Sequence, residues 1–223
     1  MKLFYHYCRS GFSNCYVLGT DIPEENGSGG AADPRELPRQ DSWPREAVIV
    51  DPGEMDEQIL GFIENNNYNL RGVLITHDHP KHVYGLDTLK RIYRTEIYAV
   101  NPIIREHRTN MVRDGDVIVV GSFKFHVIST PGHSSDSAVF LAGRLLFTGD
   151  SLSAGLVGRT ASAYGAKVQM TALRSKILSL PGDFIILPSH GPPSTLEAER
   201  RYNAGIKFYE HKWDHRPRFR IDS

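Results

Sequence analysis

Gly72-Val-Leu-Ile-Thr76-His77-Asp78-His79-Pro80-Lys81-His82 decides how this chain is read, because an apolar run ends there in a cluster of imidazoles. Gly72 to Thr76 reads as a short buried strand. If the strand continued past Thr76, His77 and His79 would merely share a face, since side chains alternate along an extended chain. In a loop at the strand end they can converge on one cation. Three further segments repeat the arrangement. His133 lies in Thr130-Pro-Gly-His-Ser134 after a strand ending at Ser129, Asp150 in Thr148-Gly-Asp-Ser151 after Leu145 to Phe147, and His190 in Pro188-Ser-His-Gly191 after Phe184 to Leu187. Converging strand ends are where α/β folds build sites. Of the ten histidines, His6, His107, His126, His211 and His215 lack this context, and the last two read as part of a solvated tail.

The rest of the chain supplies the frame. Lys2 to Tyr7 and Asn14 to Gly19 read as an opening hairpin; with its tip at Gly11-Phe12, Cys8 and Cys15 would face each other, either bridged or as two reduced core thiols. Residues 20–46, with Asn26-Gly-Ser-Gly-Gly30 followed by Pro34, Pro38 and Pro44, read as an exposed insertion, a lid or partner-binding loop or plain surface decoration. Ala47 to Val50 is a strand stopped by Asp51-Pro-Gly53, and Met55, Ile59, Phe62 and Ile63 follow at helical spacing. Asp87 to Arg94 reads as a helix and Glu96 to Val100 as a strand. Two hairpins are expected at Val117 to Ile128 and Ser137 to Thr148, then a helix through Met170 to Leu180. Phe184 to Leu187 is a last strand, and Ser194-Thr-Leu-Glu197 has the capping-box spacing of a final helix. The order implies one domain over residues 1–223, an α/β fold of two mixed sheets packed face to face with helices outside.

Composition narrows the function classes. Lys+Arg and Asp+Glu both count 26, so the formal net charge is zero and no global field holds nucleic acid or an anionic membrane. No apolar run approaches the ~20 residues of a membrane span, and Met1 to Ser10 lacks the apolar middle of a secretory signal. With two cysteines, a reducing cytoplasmic location is the expectation, with a small-molecule substrate and no nucleic-acid or membrane partner. The oligomeric state is left open.

Taken together, Thr76-His-x-His-x-x-His82, Thr130-Pro-Gly-His133, Phe147-Thr-Gly-Asp150 with Gly158-Arg-Thr160 behind it, and Leu187-Pro-Ser-His-Gly-Pro-Pro-Ser-Thr195 leading into Glu199-Arg-Arg-Tyr-Asn203 make the chain resemble the metallo-β-lactamase superfamily, specifically its small glyoxalase II-like hydrolases. The similarity runs from about Asn14 to Phe208. It implies an αβ/βα four-layer sandwich with His77, His79 and His133 on a first metal, His82 and His190 in a second site, and Asp150 bridging them. Zn2+ is the expected ion, with Fe2+ or Mn2+ as alternatives.

One residue departs from the family pattern: two-metal members carry Asp where this chain has Lys81. A protonated ammonium cannot ligate and is repelled by a dication. A second dication with its Asp ligand adds about +1, and so does one ammonium. One metal per chain is therefore expected over a weakened two-metal site, with Lys81 either pairing with Asp150 in place of the second ion or simply pointing to solvent. The first site would lower the pKa of its water toward neutrality and yield a hydroxide that attacks an ester or thioester carbonyl. Lys81, Asp150 and His190 are the expected catalytic groups. The alternatives are a mononuclear iron persulfide dioxygenase using His77, His133 and Asp150, and a non-catalytic metal- or ligand-binding sensor.

Overall fold

The structure is a computed structural model that describes residues 1–20 and 45–214. The first sheet holds β1 (Lys2–Cys8), β2 (Ser13–Gly19), β3 (Arg45–Val50), β4 (Tyr68–Leu74), β5 (Glu96–Ala99) and, beyond two short strands, β8 (Asn110–Met111), in that spatial order. The short strands are β6 (Ile103–Ile104) and β7 (His107–Arg108), a separate hairpin. The second sheet runs β16 (Ser194–Thr195), β15 (Ile185–Pro188), β12 (Leu145–Gly149), β11 (Ala138–Ala142), β10 (Phe123–Ser129), β9 (Val117–Val120). A last small ribbon pairs β13 (Leu152–Ser153) with β14 (Leu156–Val157). Both large sheets are mixed: β3, β4, β5 and β8 run parallel, as do β12 and β15, while the other neighbours are antiparallel.

Three apolar layers hold the sandwich together. Between the sheets, Tyr16, Leu18, Val48 and Leu74 meet Phe125, Phe140 and Phe147, with the Tyr16 and Phe147 rings edge-on at 5.6 Å. Outside the first sheet, Ile59 and Ile63 of α1 (Glu57–Asn65), Val83 of α2 (Pro80–Val83) and Leu86 and Leu89 of α3 (Leu86–Ile92) cover Val17, Ile49 and Val73. Outside the second, Met170 of α4 (Ala163–Ala172), its π-helical continuation Leu173–Ile177, Leu196 of α5 (Leu196–Tyr202) and Ile206 of α6 (Ala204–Asp214) cover Val139, Leu146 and Ile186. The apolar spacings in the sequence map onto these layers because each element is buried on one face. Among the described residues no helix is long and apolar enough to cross a membrane.

Several boundaries differ from the sequence expectations. The first turn spans Arg9–Phe12, so Cys8 pairs with Ser13 and Cys15 with His6; the two thiols are free and diagonal to each other, not opposed. Of the 20–46 insertion, Thr20, Arg45 and Glu46 are structured, Thr20 N donating to Glu46 O, and 21–44 lie outside the described residues. β4 ends at Leu74 because Thr76 N donates to the Asp51 carboxylate rather than to a neighbouring strand. The helix expected to be last, α5, is capped by Thr195, whose Oγ1 accepts from Ala198 N, one residue beyond the expected cap, and α6 follows it.

Candidate metal centre

Six loops meet at one edge of the sandwich: the β1–β2 turn and those after β3, β4, β10, β12 and β15. Asp150 is the hub. Its Oδ2 lies 3.4 Å from His133 Nε2 and 3.8 Å from His77 Nε2, and its Oδ1 lies 3.7 Å from His82 Nε2 and 3.6 Å from His190 Nε2. His79 Nδ1 sits 3.0 Å from His77 Nε2 and 3.1 Å from His133 Nε2. Two donor sets result, His77, His79, His133 with Asp150, and His82, His190 with Asp150; within each, the ligand atoms all lie within 4.8 Å of one another. All six residues expected from the strand-end pattern are thus brought together.

Hydrogen bonds at the outer ring nitrogens decide which way each lone pair faces. His133 Nδ1 and His190 Nδ1 bond at 2.7 Å to the carbonyl oxygens of Arg159 and Phe12, and a carbonyl cannot donate, so both rings carry their proton there. Thr76 Oγ1 donates to Asp51 Oδ2, so it accepts from His77 Nδ1. The Nε2 lone pairs of His77, His133 and His190 therefore point inward. This orientation of imidazoles by outer acceptors is typical of metal ligands. Around Asp150 Oδ2 at least two lone pairs and a carboxylate oxygen crowd together, and Asp150 Oδ1 is buried without a hydrogen-bond partner. An electron-rich pocket of this kind fits a divalent cation.

The charges agree. Burial, followed by the charge on His82, pushes His77 down to about 3, and burial with His133 lowers His79, so both rings are neutral at pH 7. For His82 burial works against charge, but Asp150 and Asp51 on either side outweigh it and raise the ring to about 9. Asp150 itself is held below the usual carboxylate range by His82, His77 and His190 despite its burial.

Sequence reasoning missed Asp51. Its carboxylate, 1% exposed, accepts from Thr76 N, Thr76 Oγ1 and Ser189 Oγ and lies 3.5 Å from His82 Nδ1, tying the His77 and His190 loops together. It ends a strand in Asp51-Pro-Gly53, the same signal that marked Asp150, and could have been found that way. Lys81, by contrast, does not pair with Asp150: its side chain is exposed on α2, and among the described residues the ion pairs of Asp150 are with four histidines. The reason lies in the backbone, where the Lys81 carbonyl turns inward, accepts from Ser13 Oγ and packs against Gly11 and Gly53.

Comparison with known proteins agrees with this geometry. The model of the metallo-beta-lactamase superfamily matches residues 44–190. A hydroxyacylglutathione hydrolase of Marinomonas sp. (strain MWYL1) is 38% identical over 144 residues, covering 63% of this chain and 54% of that protein, so the chain spans about half the length of this relative. Hydroxyacylglutathione hydrolase GloC of Haemophilus influenzae is 28% identical over 183 residues, covering 71% of this chain and 86% of that one. Among solved structures, ETHE1 from Myxococcus xanthus superposes with a TM-score of 0.75 at 24% identity, covering 98% of this chain and 93% of that one. At that identity the likeness shows the fold alone.

Proposed function

The chain belongs to the metallo-beta-lactamase superfamily, and from that premise we propose that it is a metal-dependent hydrolase of an ester or thioester, with a small molecule of the hydroxyacylglutathione type as substrate. The observation that carries the reading is the convergence of His77, His79, His133 and Asp150, with the Nε2 lone pairs of His77 and His133 turned inward. The names of the relatives support the thioester. Three imidazoles and a carboxylate are ligands that Zn2+ accepts, and expansion to five-coordination would leave a position for water.

A cation held there supplies Lewis acidity, activating water near neutral pH and polarising the scissile carbonyl. The protein's own groups do the rest. Asp150 Oδ1, without a hydrogen bond of its own, would accept a hydrogen bond from the attacking water and orient it. His190, the most exposed of the four histidines paired with Asp150 at 37%, faces the entering substrate with Nε2. Asp51 and the Arg159 and Phe12 carbonyls keep the rings from turning as charge develops.

One cation at the Asp150 centre is the proposed stoichiometry. His82, Asp150 and His190 offer a second set of donors. Lys81, where two-metal members carry Asp, leaves that set one carboxylate short and adds a positive charge one residue from His82. Because Lys81 is exposed, its charge acts across the mouth of the site rather than through a contact with Asp150.

The test is thiol release from a hydroxyacylglutathione thioester by purified protein of measured metal content. Turnover that tracks one divalent ion at the Asp150 centre is expected. Oxygen uptake with a glutathione persulfide and bound iron, or no thioester turnover in metal-loaded protein, overturns the proposal.

A further inference from the structure

On the outer face of the first sheet, behind the loop that carries Asp51, another group of donors converges. His6, Cys8 and Glu54 present ligand atoms within 4.8 Å of one another. His6 and Cys8 alternate along β1 onto the same buried face, at 7% and 0% exposure. Cys15 stands opposite His6 in the ladder, its free thiol buried in the same cluster as that of Cys8. Glu54 is oriented by Ser10, whose N and Oγ donate to its two carboxylate oxygens at 3.2 and 3.1 Å. The buried His6 Nε2 lies 3.0 Å from Asp56 Oδ2 but makes no aligned hydrogen bond. Among the described residues, no hydrogen bond or ion pair joins this group to the histidines around Asp150.

We propose that His6, Cys8 and Glu54 form a second, structural cation site for a borderline-soft divalent ion such as Zn2+. Imidazole, thiolate and carboxylate are all ligands this ion accepts, at about 2.0 to 2.3 Å. Tetrahedral bonds of that length put neighbouring ligand atoms about 3.3 to 3.8 Å apart, so small side-chain rotations close the observed spacing. Binding displaces the Cys8 thiol proton to solvent. The dication, one thiolate and one carboxylate then sum to zero, so no net charge is buried. Burial pushes the Cys15 thiol well up, so it stays protonated beside the site. The ion would tie β1 to the Gly53–Asp56 loop, and Gly53 abuts the Lys81 carbonyl beside the catalytic centre.

Co2+ distinguishes the two sites, because the donors around Asp150 include no sulfur and the chain holds only Cys8 and Cys15. Titrating Co2+ into the full chain should produce a thiolate-to-cobalt charge-transfer band in the near ultraviolet. Cys8→Ser should abolish the band. Glu54→Gln, at a half-buried position, should keep the fold and weaken the Co2+ affinity read from the band by about tenfold or more. No band at two equivalents of bound Co2+, or a band that survives Cys8→Ser, overturns the site. Neither result bears on thioester hydrolysis.

Discussion

His190 bonds through Nδ1 to the Phe12 carbonyl oxygen over 2.7 Å, linking residues 178 positions apart. Phe12 can offer that carbonyl because its backbone is left-handed, at φ 52°. A turn conformation in the first hairpin therefore orients a ring in the last of the motif loops.

Phe12→Pro, which cannot reach positive φ, should swing the carbonyl away and lower kcat/KM by about 10- to 100-fold. Phe12→Asn, which tolerates left-handed backbone, should keep the His190 orientation and stay close to the parent. Steady-state kinetics on both variants checks the pair, and equal losses would show that the phenyl ring matters rather than the carbonyl.

Chelation should stop hydrolysis without unfolding the protein. The three apolar layers are independent of the Asp150 cluster, so far-ultraviolet circular dichroism should be unchanged after treatment with a chelator. Adding back one equivalent of Zn2+ should restore turnover.

Gly53→Ala should destabilise the fold by about 1 to 3 kcal/mol. A Cβ at Gly53 would stand 2.2 Å from the Lys81 carbonyl oxygen and 2.5 Å from Ser13 Oγ, and the backbone atom cannot step aside cheaply. Urea denaturation reads the loss, and a matching fall in metal content would show that the His77 to His82 loop moved.

Lys81→Asp should add about one ion per chain to the metal content of the parent, measured by elemental analysis. The variant restores the missing carboxylate and removes the ammonium beside His82. Unchanged metal content would remove the charge argument for a single ion.

Much of the centre was legible because its chemistry is local. His77, His79, His133, Asp150 and His190 each follow an apolar strand within a few residues, and parallel pairing of β3 with β4 and of β12 with β15 brings the C-terminal ends of those strands to one edge. The short strands β6, β7, β13, β14 and β16 were not legible, since two-residue pairings leave no periodicity to read. The start of α4 was hidden in a glycine-containing stretch, where only the Ser162 Oγ cap on Gly165 N marks it.

From the sequence alone came the two-sheet sandwich, the candidate ligand residues and the unusual Lys81, because each depends on residue type and spacing along a few neighbouring positions. Tertiary structure decided the rest. Only the folded chain shows that Asp51 holds Thr76 and Ser189 together, that Phe12 and Arg159 set the tautomers of His190 and His133, and that Lys81 faces solvent while its carbonyl locks the loop. Those relationships are made by backbone carbonyls and long-range contacts, and a backbone carbonyl is the same in every residue, so no local pattern of side chains announces which one will accept the bond.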